Sequence, residues 1–212
     1  MLYDCRTVAD RDRGIESAVD AIKRGDLVVL PTDTVYGIAA DAFKPWSVTA
    51  LLDAKGRRNA PPVLVGSRAT LDGLVVTLPT AARELVEAFW PGALTIVVEH
   101  APSLQWDLGS DDGTAAVRMP LHPVALEVLR ETGPLAVSSA NKTGQPPAVT
   151  AAEAQGQLGS AVSVYLEAGE CPDRTPSSIV DVTGEVPRLL RAGALPLERL
   201  REVVPSILGP GQ

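Results

Sequence analysis

The chain of 212 residues predicts an α/β domain. Three observations carry that reading: short apolar runs bounded by turn residues, stretches of helical periodicity between them, and no composition break from end to end. An apolar content of 45% is ample for a core, and neither a linker nor an internal repeat divides the chain. A single domain over residues 1–212 is therefore expected, with its core at about 14–195 and a frayed tail at 205–212.

The elements follow in order. Ile15, Ala18, Val19 and Ile22 recur at helical spacing and Gly25 stops them. Residues 27–30 (LVVL) form a continuous apolar run that suits a buried strand, and 35–40 suit a second. Pro45 can open a helix that runs to about Lys55 and stops at Gly56. Residues 62–66 read as a strand, followed by one or two helices to Trp90, then a strand at 94–98. Residues 100–113 are a polar loop containing Asp111, Asp112 and Gly113, and 115–119 are a strand. His122-Pro123 begins a helix ending near Gly133; 135–138 are a strand, and 139–149 a long irregular loop. Thr150 with Glu153 has the form of a capping box for a helix to about Leu158. Strands at 162–166, 179–182 and 188–190 and a helix at 196–203 complete the pattern.

The bulk numbers exclude several classes. A formal charge of −7 argues against a basic nucleic-acid coat, and 4% aromatics argue against serial base stacking. Cys5 and Cys171 have no metal-ligand spacing; a pair this distant could be a disulfide, but two buried or idle thiols are the preferred reading. The opening MLYDCRTVADRDRG lacks an apolar signal-peptide core, and no apolar run reaches a membrane span of about 18 residues, so a cytoplasmic protein is expected. Neither glycine-rich phosphate signature occurs, and the two histidines, His100 and His122, support neither a Ser-His-Asp triad nor a zinc site. Any chemistry here relies on cations and hydroxyls.

Those groups gather at four strand or helix ends. Pro31-Thr32-Asp33-Thr34 follows the first strand, and Lys55-Gly56-Arg57-Arg58 closes a helix, with Lys55 and Arg57 expected to be exposed there. Arg118 lies inside an apolar strand, and Ser138–Gly144 follows another; Ser177-Ser178 and Arg191 are satellites. Each has a plain alternative. Cations at a helix C-terminus favour its dipole, an interior arginine can pair with a buried carboxylate, and a polar loop can be a connector. Together, guanidiniums, an ammonium and hydroxyls suit a phosphorylated ligand with a small polar co-substrate.

PTDTVYGIAADAF, the K-G-R after LLDA, FWPGALTIVV, AVRMPLHP, SSANKTGQPPA, PSSIVDV and LLRAGA occur in that order. The chain thereby resembles the threonylcarbamoyl-AMP synthase (YrdC-like) family over about residues 14–195, in its short single-domain form. The resemblance implies a twisted, mixed sheet of about seven strands with helices on both faces. It implies a nucleotidyltransferase that makes L-threonylcarbamoyl-adenylate and pyrophosphate from ATP, L-threonine and bicarbonate or carbon dioxide, with Mg²⁺. The product would feed the tRNA threonylcarbamoyl transferase machinery.

By motif, the resemblance makes Lys55, Arg57, Ser139 and Asn141 the catalytic and ATP-binding set, with Thr114 and Arg191 as further ATP contacts. It assigns L-threonine to Thr34, Arg118, Val137 through its backbone, and Ser177. The metal ligands are unassigned. Two departures stand out: Asn59-Ala60-Pro61-Pro62-Val63 replaces a more usual N-P-L word, and the following strand ends at Gly66 where others carry His. Rival readings are a double-stranded RNA-binding or ribosome-assembly factor, with weak RNA binding, and a related carbamoyl-adenylate or sugar-phosphate enzyme.

Overall fold

A computed structural model describes residues 1–56, 59–104, 106–109 and 112–211. Among the described residues ten strands make one mixed sheet: β1 (Leu2–Asp4), β2 (Val28–Leu30), β3 (Gly37–Asp41), β4 (Val63–Leu64), β5 (Leu94–Glu99), β6 (Thr114–Arg118), β7 (Leu135–Ser139), β8 (Val164–Glu167), β9 (Ser178–Asp181) and β10 (Arg188–Arg191). Their order across the sheet is β1-β8-β2-β3-β7-β4-β6-β5-β9-β10. Seven α-helices accompany them among the described residues: α1 (Val8–Arg24), α2 (Pro45–Lys55), α3 (Arg68–Leu74), α4 (Thr80–Phe89), α5 (Pro123–Thr132), α6 (Ala151–Leu158) and α7 (Leu197–Arg201).

The nine strands read from the sequence are present, and the family expectation of about seven is corrected to ten. The tenth is β1, an edge strand of three residues, too short to show any alternation; it pairs parallel to β8. The first helix starts at Val8, earlier than its apolar stripe, because its first turns lie on the surface. Gly25 and Gly56 close α1 and α2 at φ 92° and 65°, a left-handed conformation that glycine adopts without strain. Thr150 caps α6 by accepting from the Glu153 amide, while the Glu153 carboxylate accepts from Val149 N.

The expected frayed tail is also corrected. Ile207 is fully buried, and Leu208 exchanges backbone hydrogen bonds with Pro187 and Leu189, so the chain is anchored beside β10 through 208. Ile207 and Val204 fill the core under α7, which supplies the apolar contact that holds this segment down.

Side-chain alternation divides the core. In the β1–β7 half, Val28 and Leu30 pack with Ile15, Val19 and Ile22 of α1 and Val124 and Val128 of α5. Leu27 and Val29 pack on the other face with Leu51 of α2 and Ala151, Ala154 and Leu158 of α6. Helices thus cover both faces of that half. In the β4-β6-β5-β9-β10 half, Val63, Leu94, Ile96, Val98, Val117, Val180 and Leu189 face Leu71, Leu85 and Leu200 of α3, α4 and α7. The residues between them, Thr95, Ala116 and Ile179, instead line a cavity. The sheet face left without a helix is where the site lies.

Candidate active site

A cavity of about 230 Å³ opens on that face, walled by Thr32, Thr34, Val137, Ser139, Ser177 and Arg191, with Arg118 at one side and Leu64, Ala116 and Ile179 among its apolar surfaces. A second cavity of about 360 Å³, lined by Asn59, Val97, Leu108, Asp112 and Thr114, shares Ala60 and Ala116 with the first. The floor is the mid-strand sheet face. The polar rim is built from strand ends: β2 runs into the Pro31–Thr34 turn, β6 ends at Arg118, β7 at Ser139 and β10 at Arg191, while Ser177 precedes β9.

The turn after β2 is shaped by its own hydroxyls. Thr32 Oγ1 donates to Val35 O (2.7 Å) and accepts from Thr34 N (3.1 Å). Its proton is thereby spent, so the 3.1 Å contact between the two threonine hydroxyls has Thr34 as donor. Thr34 Oγ1 also accepts from Arg118 Nη1 at 2.9 Å. What Thr34 keeps is one lone pair, the complement of an ammonium or amine.

Arg118 is 6% exposed and held on three sides. Its Nε donates to Gly92 O (2.9 Å), its Nη1 to Thr34, and its Nη2 to Asp33 Oδ1 (2.6 Å). Burial pushes the guanidinium pKa down, and Asp33 opposes that by charge and hydrogen bonding. Of five N–H groups in the fork, one remains on each terminal nitrogen, a geometry that suits a single carboxylate. Arg118 therefore has both the buried carboxylate partner and donors to spare.

On the far wall, Arg191 donates from Nε and Nη2 to Ser177 O (3.0 and 2.7 Å) and from Nη2 to Ser177 Oγ (3.2 Å). Gly193 lets this wall close: a Cβ there would stand 2.3 Å from Pro176 O. Its amide donates instead to Ser178 Oγ.

Lys55 corrects an expectation. It is 3% exposed, not at a solvent-facing helix end. Its ammonium donates to Ser139 O (2.5 Å) and Asn141 O (2.8 Å), so the last turn of α2 is pinned under the loop after β7. Asn141 is also buried, and its amide donates to Lys142 O and Gln145 O, shaping the loop from within. Both stand one layer behind Ser139. Arg57, Arg58 and Asp111 lie outside the described residues.

The structure thus brings Thr34, Arg118, Val137, Ser139, Ser177 and Arg191 to one cavity and Thr114 to its neighbour. Sequence reasoning missed Thr95, whose only signal was a hydroxyl at a strand position between two core residues. Asp33 was visible in the turn, but its partner was not. His122 is the helix-entry residue expected, the N-cap of α5. Cys5 and Cys171 are free and buried, and burial raises both thiols to about 11, which leaves them protonated at neutral pH.

The profile of the Sua5_yciO_yrdC family, described as "Telomere recombination", matches residues 20–193. The chain belongs to the Sua5/YciO/YrdC family. This family member is 59% identical over 204 residues to a Mycobacterium tuberculosis protein named "Putative threonylcarbamoyl-AMP synthase", covering 95% of this chain and 94% of that protein. It is 34% identical to a Pyrococcus abyssi protein named threonylcarbamoyl-AMP synthase, over 91% of this chain and 58% of that one. It superposes on the crystal structure of P. abyssi Sua5 complexed with L-threonine with a TM-score of 0.91 and 32% identity, covering 99% of this chain and 62% of that chain. The family member thus spans about three fifths of the P. abyssi proteins. None of its helices is long and apolar enough to cross a membrane, among the described residues.

Proposed function

We propose that this family member is an L-threonylcarbamoyl-adenylate synthase, a nucleotidyltransferase that converts L-threonine, bicarbonate or carbon dioxide, and ATP into threonylcarbamoyl-AMP and pyrophosphate. One observation carries the reading: a small cavity whose lone pair at Thr34 and spare guanidinium donors at Arg118 are complementary to the two ends of an amino acid. At about 230 Å³ it falls below the ~300–1,000 Å³ of pockets for larger ligands, so it suits threonine and not a whole nucleotide. The adjoining cavity with Thr114 would take part of the ATP.

In this mechanism the threonine amine adds to carbon dioxide and loses a proton, giving a carbamate. A carbamate oxygen then attacks the α-phosphorus, and the bond to pyrophosphate breaks. Such transfers depend on alignment and charge stabilisation and need no protein nucleophile. Arg118, Thr34, Ser177 and the Val137 backbone would hold threonine. Arg191 and Ser139 would face the nucleotide, with Lys55 and Asn141 fixing the loop that presents Ser139; Arg57 is assigned to ATP by its motif alone.

Mg²⁺ would arrive on the triphosphate. Among the described residues no group of three or more His, Cys, Asp or Glu could hold a metal ion, and the first cavity is lined by hydroxyls and guanidiniums. No step is therefore assigned to a protein-held metal. The adenylate would pass to the machinery that modifies tRNA.

The deciding experiment is pyrophosphate release from ATP with the purified protein. Release that requires both L-threonine and bicarbonate is expected. Release indifferent to either, or none at all, overturns the reading.

A further inference from the structure

Strand β5 carries a hydroxyl that the roles above leave unused. Leu94, Ile96 and Val98 point into the core beneath α3 and α4, whereas Thr95 faces the cavity and is 1% exposed. A buried hydroxyl on an apolar strand needs a partner. Thr95 Oγ1 lies 2.7 Å from Ser177 Oγ, which also accepts from Arg191 Nη2 at 3.2 Å.

A hydroxyl has one proton and two lone pairs. The contact between Thr95 and Ser177 can run either way; where Thr95 donates, Ser177 accepts from it and from Arg191, and both of its acceptor sites are filled. Ser177 then has only its proton left to offer, and the cavity is where that proton can go. Without the Thr95 hydroxyl, Ser177 keeps a vacant lone pair and its proton loses its bias toward the ligand.

We infer that Thr95 is a positioning residue for the amino-acid substrate, fixing Ser177 as a hydrogen-bond donor to an acceptor oxygen of bound L-threonine. This rests on the proposed synthase reading. It adds a residue and a direction of donation: Ser177 donates a hydrogen bond to the substrate, while Thr34, in the same cavity, accepts one. The pair therefore reads the polarity of the ligand and not only its size.

The test uses Thr95→Val, which keeps the shape and removes the hydroxyl, and Thr95→Ser, which keeps it. Thr95→Val should raise the KM for L-threonine about tenfold, the effect of one lost hydrogen bond to a charged or strongly polar ligand, with the KM for ATP unchanged. Thr95→Ser should restore the wild-type KM for threonine. In a Ser177→Ala background, Thr95→Val should add nothing further, because the two act as a unit. Should Thr95→Val fail to fold, Thr95→Ala carries the same comparison. An unchanged threonine KM, equal rises in both KM values, or a Thr95→Ser variant as impaired as Thr95→Val overturns the inference while wild-type turnover leaves the synthase reading standing. A wild-type protein without threonine-dependent pyrophosphate release sinks both.

Discussion

Asp33 and Arg118, 85 residues apart in the chain, form a buried ion pair of 2.6 Å in which the same carboxylate oxygen also accepts the Leu121 amide at 2.9 Å. The side chains of Asp33 and Arg118 are 11% and 7% exposed, so the pair is shielded from water and salt. Asp33 ties the turn after β2 to the end of β6 and sets the angle at which Arg118 presents its remaining donors.

Removing one partner of such a pair strands the other charge. Asp33→Ala is expected to lower folding stability by about 3 kcal/mol, read from the urea midpoint. Asp33→Asn keeps an acceptor for Arg118 and Leu121, so it should lose less stability yet still weaken threonine binding in calorimetry. Equal stability of Asp33→Ala and the wild type would show that the pair is solvated and not part of the wall.

Lys55 gives a contrasting case. Its donors go to the carbonyls of Ser139 and Asn141, and the Thr143 amide returns a bond to Lys55 O at 3.0 Å. Lys55→Met keeps the apolar stem and takes the ammonium away from both carbonyls, while Ser139 O still accepts from the Asn141 amide at 2.9 Å. The expected result is a stability loss of about 2 kcal/mol, faster proteolysis between 139 and 149, and loss of turnover. Turnover lost with stability and proteolysis unchanged would instead assign the ammonium to the ligand.

These two residues show what the sequence could and could not reveal. Nine of the strands were legible because each is a short apolar run between breakers, and the caps at Gly25 and Gly56 because glycine adopts their left-handed backbone without strain; β1 was not, being too short to show a pattern. The site residues were legible as words around strand ends. The burial of Lys55 was not, since a lysine in the last turn of a helix satisfies the dipole whether it faces water or a loop 84 residues away. Nor was the role of Thr95, because threonine also suits a strand for its β-branch alone. The anchoring of 205–208 depends on Ile207 finding the core under α7, a contact with no local signal. Pairing across long separations is what the linear pattern hides.

Gly37 lines the first cavity at the start of β3, opposite Ser139 of β7. A Cβ at this position would meet Val137 Cγ1 at 2.5 Å, closer than real contacts allow. Val137 is stiff at χ1 and buried, so it can yield only toward the cavity or by parting the strands. Gly37→Ala should raise the KM for L-threonine and lower stability by about 1–3 kcal/mol. Adding Val137→Ala should recover part of the affinity, because it removes the clashing methyl; no recovery in the double variant would place the defect in the backbone.

His122 supplies a pH dependence. As the N-cap of α5 it makes no side-chain capping bond, and burial lowers its pKa below the usual 6.5, opposed by Asp33 and aided by Arg11. The unfolded chain therefore takes up a proton at a higher pH than the folded one. Stability from this residue is fully present above about pH 6.5 and is lost as pH falls from there through the folded pKa. His122→Asn, which keeps a good N-cap and cannot titrate, should flatten the fall in Tm between about pH 7.5 and 5.5. Parallel Tm curves for the variant and the wild type would show that His122 is protonated as easily when folded as when unfolded.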